Sequence, residues 1–369
     1  MKNAKRISVA ILAVALSAVL LLSGCSAPKL SIGGTPAVAG TVAGENLSTG
    51  KYLAYLYNTF YDMYYNQGLY QYAMYGYDAW GQEYTYGEGD DAQKVDLAEY
   101  IKLMTKDTIA RQEALQNMLK ENEMSWNADD LKKLEEEIAK MEKNAYLPLG
   151  ISDENFVDVY KQVSLNESSL FYGLYGKGGK REVSEADRKA YFEKNFLSYK
   201  IISVPLTDDK GSEMTKEARN KVLEELEGYL AQYNKDKNFE AVVDAYNKAH
   251  AEKDQKVEAS KDEDNRVDMD ATQASDEELV KAIRTVDVGK AKVVEYKAGG
   301  STNTMALVLR LDIHKPDTLF ADKTEDILFG MKWEDFNKEV KEKMGKITVD
   351  LKKSVVKKCS PKNFVTDVQ

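Results

Sequence analysis

Cysteine, histidine and proline are scarce in this chain. Its 369 residues include two cysteines, two histidines and six prolines. Two cysteines exclude a disulfide scaffold and a cysteine-rich metal centre. His250 and His314 are too few and too far apart for histidine-based zinc binding or a histidine acid–base relay. There is no Gly-x-Gly-x-x-Gly fingerprint, no Walker loop and no serine in a nucleophile-elbow context. An excess of basic charge is missing as well. Of 51 lysines and arginines, three lie in the first 25 residues, where none of the 61 acids does, so the rest carries 48 bases against 61 acids. That balance excludes a nucleic-acid partner, because phosphate neutralisation needs basic surface. No catalytic residue, metal ligand or cofactor site is expected.

The N-terminus is informative. Lys2, Lys5 and Arg6 precede an apolar run, 7–22, interrupted only by two serines. A positive end, an apolar segment and small residues before a break describe an export signal. Leu22-Ser23-Gly24-Cys25 resembles the bacterial lipobox. In that family the cysteine thiol takes a diacylglycerol and the preceding peptide is removed. Cys25 is therefore the expected lipidation site, and 1–25 the signal peptide. A spanning helix is the competing reading, but 7–24 is at the short end for one. A diacylglyceryl group supplies the two chains that stable anchoring needs. Acylation of Cys25 leaves Cys359 alone, expected to be a half-buried or inert thiol.

Small residues, Gly33, Gly34, Pro28 and Pro36 mark 26–40 as a tether. A short strand and turn over 41–47 lead into a helix capped by Ser48 or Thr49. From Tyr52 to Tyr86, 12 of 35 residues are tyrosine. Tyr52, Leu56, Phe60 and Met63 recur at helical spacing and belong to a core. Beyond Gln67, five glycines predict an irregular aromatic loop rather than a long helix. Tyr70, Tyr72, Tyr75, Tyr77, Trp80, Tyr84 and Tyr86 are its candidate client-binding residues, with apolar rings and polar tips. Helices are predicted over 96–120, from Asn127 to a stop at Pro148 and Gly150, over 152–175, and from a capping box at Ser184 to Asp187.

At Tyr199 the period changes to that of a strand, 199–206, where Pro205 suggests an edge position. Helices follow over 216–233 and 238–250. The run 253–270 holds seven acids and four bases and reads as a solvated loop. Asp262, Asp264, Asp268 and Asp270 within it fail the calcium-loop pattern, since the sixth position is Val267. A capping box at Ser275 to Glu278 opens another helix. Strands at 292–296 and 304–313 flank a Gly299-Gly300 turn. After Pro316 the chain is helical through Trp333, Phe336, Val340 and Met344, and ends in a basic stretch, 352–358.

These segments resemble a family. Val42-Ala43-Gly44-Glu45-Asn46-Leu47 is similar to the strand and turn that open PrsA- and SurA-type extracytoplasmic foldases. The helix begun by Ser184-Glu185-Ala186-Asp187 looks like the one before their parvulin domain. Residues 199–246, with Phe239-Glu240-Ala241-Val242-Val243, resemble the parvulin start, and 278–313 its end. The helix from Trp333 looks like the segment that returns to the N-terminal domain. The resemblance implies an α+β, mainly helical chain. A discontinuous helical chaperone domain, 41–195 with 316–369, would carry an inserted small parvulin-like α/β domain, 196–315. It also implies unfolded or secreted polypeptides as partners. Parvulins carry a histidine on the first and last strands. Here Ile201, Ile202 and Ser203, then Met305 to Val308, occupy those places, and the Gly-x-Leu-Gly-aromatic signature is missing.

The expected function is a lipid-anchored extracytoplasmic chaperone or foldase without prolyl isomerase activity. The alternatives are an isomerase with a non-standard site and a lipoprotein that binds a solute or polysaccharide. A solute-binding fold would show repeated strand–helix units with a parallel sheet, which this element order lacks.

Overall fold

The computed structural model of the chain describes residues 37–75, 77–208, 211–250 and 266–364. Cys25, the signal segment and most of the acidic run lie outside the described residues.

In chain order the main elements are β1 (Val38–Val42), β2 (Glu45–Ser48), α1 (Thr49–Tyr61), α2 (Leu69–Met74), β3 (Glu83–Tyr86), β4 (Gln93–Asp96), α3 (Leu97–Glu121), α4 (Ala128–Ile138), α5 (Asp153–Tyr175), α6 (Glu185–Asn195), β5 (Phe196–Pro205), α7 (Lys216–Asp236), α8 (Phe239–Ala249), β6 (Val267–Asp270), α9 (Glu277–Arg284), β7 (Ala291–Ala298), β8 (Thr302–Leu311), α10 (Thr324–Met344) and β9 (Val349–Leu351). The fold is α+β and mainly helical. Its helices start where short polar side chains satisfy free backbone N–H groups. Ser48, Asp96, Asn127, Ser152, Ser184, Thr215, Asn238 and Asp276 each accept one or two such bonds. Each cap contributes about 1 kcal/mol.

Two units divide the chain, one from Val183 to Trp333, the other formed by the residues up to Glu182 and from Glu334 on. In the split unit, β1 is the middle strand of a small antiparallel sheet, between β2 and β9. Ala43 and Gly44 turn the β1–β2 hairpin, both with positive φ (50° and 90°), the backbone that a two-residue type I′ turn requires. β1 begins at Val38, so 38–40, at the end of the expected tether, are strand. Helix α1 is buried nearly all round: Tyr52, Leu53, Leu56 and Phe60 are joined in the core by Tyr55, Tyr57 and Tyr61. Around it lie Leu97 and Ile101 of α3, and Val159 and Tyr160 of α5. Asn166 links two other polar side chains of this core: Trp126 Nε1 donates to Asn166 Oδ1 (2.6 Å), and Asn166 Nδ2 to Gln112 Oε1 (2.8 Å).

The 183–333 unit holds a four-stranded antiparallel sheet, order β6-β5-β8-β7. Alternation along β5 and β8 feeds two cores. Ile202, Leu206, Met305, Leu307 and Leu309 meet Leu226 and Tyr233 of α7 and Phe239, Val242 and Tyr246 of α8. Leu197, Tyr199, Ala306 and Val308 meet Ala282 and Ile283 of α9. Gly299 and Gly300, both at positive φ, close the β7–β8 hairpin.

Several expectations are corrected. The polar run 253–270 ends in a strand, β6, and is not loop throughout. Its charges hide the strand because they are edge groups: Arg266 pairs with Asp268, and Ser198 of β5 donates to Asp268. Asp276, not Ser275, caps α9, accepting from the N–H of Leu279 at 3.0 Å. Helix α4 stops at Ile138, well before Pro148, and two short 3₁₀ turns fill the interval. Pro205 is an edge residue on a central strand. β6 covers only Phe196 to Tyr199, so beyond it β5 pairs on one side alone among the described residues.

Candidate functional site

Two regions hold the residues of interest, the middle of the four-stranded sheet and the aromatic segment 70–86.

In the sheet, β5 and β8 run side by side with Ile202 opposite Leu307, Ser203 opposite Ala306 and Val204 opposite Met305. Met305, Ala306 and Leu307 are buried, Ser203 half-buried. The pair offers one hydroxyl and no titratable side chain where the parvulin pattern has histidines. The two histidines are elsewhere in this unit. His250, after α8, stacks on Tyr246 (ring centroids 4.3 Å apart), with Nε2 2.7 Å from Glu225 Oε1. His314 is exposed, its ring 6.5 Å from that of Phe192. Lys200 of β5 is buried and bonded to Glu240 of α8, so its ammonium is already paired.

The aromatic segment is more ordered than its glycines suggest. It contains α2, a 3₁₀ turn (Ala79–Gly81) capped by Asp78, and the β3–β4 hairpin. Tyr70 is half-buried and stacks on Tyr65 at 6.0 Å. Trp80 lies nearly parallel to Phe60, 6.4 Å away. Tyr84 packs on Tyr100 at 5.5 Å. The Tyr86 hydroxyl donates to Asp107 of α3 (2.9 Å). Burial, then that bond, push its pKa up to about 12. Among the described aromatic side chains of the segment, only Tyr75 (79% exposed) and Tyr77 (62%) project mainly into solvent. Tyr72 lies on α2, and its side chain is outside the described positions. Of the seven aromatic residues, then, four rest against the helical core, while Tyr75 and Tyr77 form its exposed tip.

Sequence reasoning missed one neighbour. Lys362 places its ammonium 5.6 Å from the Trp80 ring centroid, a cation–π distance. No local pattern brings residue 362 to residue 80. The antiparallel pairing of β9 with β1 carries the C-terminal segment into this unit's sheet.

An open cleft of about 310 Å³ lies among Glu135, Ile138, Ala139, Lys143, Asp153, Val157 and Lys161. Its charges satisfy one another: Lys143 with Asp153 and Lys161 with Glu135, both at 2.6 Å. It offers no unpaired acid or base for catalysis. Among the described residues no three His, Cys, Asp or Glu side chains group as a metal site, and no helix is long and apolar enough to cross a membrane.

No family model and no curated protein matches the chain. Among solved structures it is similar to the foldase protein PrsA from Streptococcus pneumoniae, at 15% identity and a TM-score of 0.33, over 71% of this chain and 92% of that one. It is similar to the foldase protein PrsA from Lactococcus lactis at 14% identity and 0.33, over 74% and 96%. PrsA from Bacillus subtilis gives 16% identity and 0.26, over 72% and 93%. Likeness at such scores carries no argument about function; the chain's own residues carry it.

Proposed function

We propose that the chain is a lipid-anchored extracytoplasmic chaperone that holds segments of unfolded or secreted polypeptides and does not isomerise prolyl bonds. The observation that carries the binding role is the aromatic segment. It packs onto the core through Trp80, Tyr84 and Tyr86, and it exposes the rings of Tyr75 and Tyr77. Tyrosine side chains, with few rotatable bonds, bury area at little entropic cost, which suits weak contact with many sequences. Anchoring through Cys25 is supported by Leu22-Ser23-Gly24-Cys25 behind a positive, apolar leader. The lack of isomerase chemistry is supported by the middle of the β5–β8 pair, where 201–204 face 305–308 and offer only the Ser203 hydroxyl. Residues 196–315 act here as a parvulin-like scaffold inserted between helical parts 41–195 and 316–369.

The test measures light scattering of an unfolded secreted protein as it aggregates, with and without the purified chain. Suppression is expected, and Y75S/Y77S should lose at least half of it. Both sites are surface positions, so stability should move by less than ~0.5 kcal/mol. A chain that leaves aggregation unchanged at several-fold excess sinks the chaperone reading. A prolyl-peptide assay should give no rate above background, and a clear rate would overturn that part alone.

A further inference from the structure

We propose that the lysines between 346 and 362 form a contact surface for the anionic phospholipid headgroups of the membrane that carries the chain. The inference rests on the anchoring at Cys25 proposed above.

Lys346, Lys352, Lys353, Lys357, Lys358 and Lys362 are all exposed, and Asp350 is the only acid among them. This stretch is strongly positive on a chain whose net charge is −10. Its apolar residues point the other way. Val349, Val355, Cys359, Pro361 and Phe364 are buried, so the lysines form the outer side of a segment pinned to the core. Nothing in a binding surface for unfolded chains asks for such a concentration of one sign.

Position decides what the surface meets. Lys352 N–H donates to the Ala39 carbonyl at 2.8 Å, and Leu351 stands opposite Gly40. Ala39 lies only 14 residues beyond Cys25. Even fully extended, that stretch spans at most ~50 Å. An acylated Cys25 therefore keeps Lys352 within that distance of the bilayer at all times. A link so short sets an effective concentration in the millimolar range. Each lysine near an anionic surface then adds about a fivefold preference for it. A lipid anchor joined to a basic patch holds a protein against a membrane more closely than the anchor alone.

The experiment uses the acylated protein, purified in detergent and reconstituted into vesicles of phosphatidylcholine alone or mixed with phosphatidylglycerol. Lysines are labelled with an amine-acetylating reagent, and peptides are read by mass spectrometry. On the anionic vesicles the 346–362 lysines should label about tenfold more slowly than on the neutral ones. High salt should abolish the difference. Lys292 and Lys297, exposed on β7, should label equally on both. Equal labelling of 346–362 in a protein whose N-terminal peptide carries the acyl chains overturns the inference and leaves the anchor standing. Slowing shared equally by Lys292 and Lys297 overturns it too, because that is general adsorption. A purified protein whose N-terminal peptide carries no acyl chain removes both.

Discussion

Burial decides the chemistry of single residues in the helical core. The Cys359 thiol is buried, and that burial pushes its pKa up to about 11 from an ordinary 9.0. At pH 8 its thiolate is about a hundredfold rarer than in an unfolded chain. Alkylation by iodoacetamide should be slower by that factor in buffer, and reach the unfolded rate in denaturant. The buried hydroxyls of Tyr52, Tyr55, Tyr57 and Tyr160 are raised above 10.0 for the same first reason, desolvation. The native state thus holds these protons more tightly than the unfolded chain does. Its stability is complete below about pH 9 and is lost as pH rises through 9 to 11 and beyond. Urea midpoints should hold from pH 8 to about 9 and fall steadily above it. Invariant midpoints up to pH 11 would contradict this burial. Much at this scale was legible in advance, including a cap at Ser48 or Thr49, the helix opening at Asn127 and the cap Ser184, because a cap needs only a hydroxyl or amide a few residues before the N–H it accepts. The burial of Tyr55, Tyr57 and Tyr61 was not. The sequence face of Tyr52, Leu56, Phe60 and Met63 marks one side of α1, while its other sides are covered by α3 and α5, which no local period reveals.

At the scale of elements, close approach replaces hydrophobic pattern as the determinant. Gly330 on α10 sits against Tyr191 of α6 and Asp270 of β6. A Cβ there would lie 2.2 Å from the Tyr191 hydroxyl and 2.3 Å from Asp270 Oδ2. Those two groups are themselves joined by a 2.7 Å hydrogen bond. G330A should therefore force them apart and cost about 1–3 kcal/mol, measured as a lower urea midpoint. A neutral outcome would mean that α10 shifts freely. This junction was invisible beforehand, because the acidic run containing Asp270 reads as loop. A strand whose polar side chains are paired across an edge carries no alternation to detect. β7 and β8 were legible for the opposite reason, since they join at two glycines with positive φ and alternate between two cores. The aromatic segment falls between these cases. Its glycines correctly exclude a long helix, yet Tyr84 and Tyr86 alternate with Glu83 and Thr85 on a strand. That period is too short to separate from a loop.

The whole molecule contains two units with separate cores. Urea should accordingly reveal two transitions, since each unit can lose its packing alone. Truncation after Met344 removes β9 together with buried Val349, Val355 and Phe364. It should lower the transition of the split unit by more than ~4 kcal/mol, and leave that of 183–333 in place. A shift of both together would show that they unfold as one. The pairing of β1 with β9 also has a temporal side. A chain that leaves a ribosome or an export channel N-terminus first delivers β1 at the outset and β9 close to the end. Val183–Trp333 can collapse from its own consecutive elements while β1 still waits for its partner. Closure between Gly40 and Leu351 comes late and bridges most of the chain, so it is the slow, entropically costly step. Until then the half-finished sheet exposes an open edge, and this protein is for a time in the same predicament as the polypeptides it is proposed to hold.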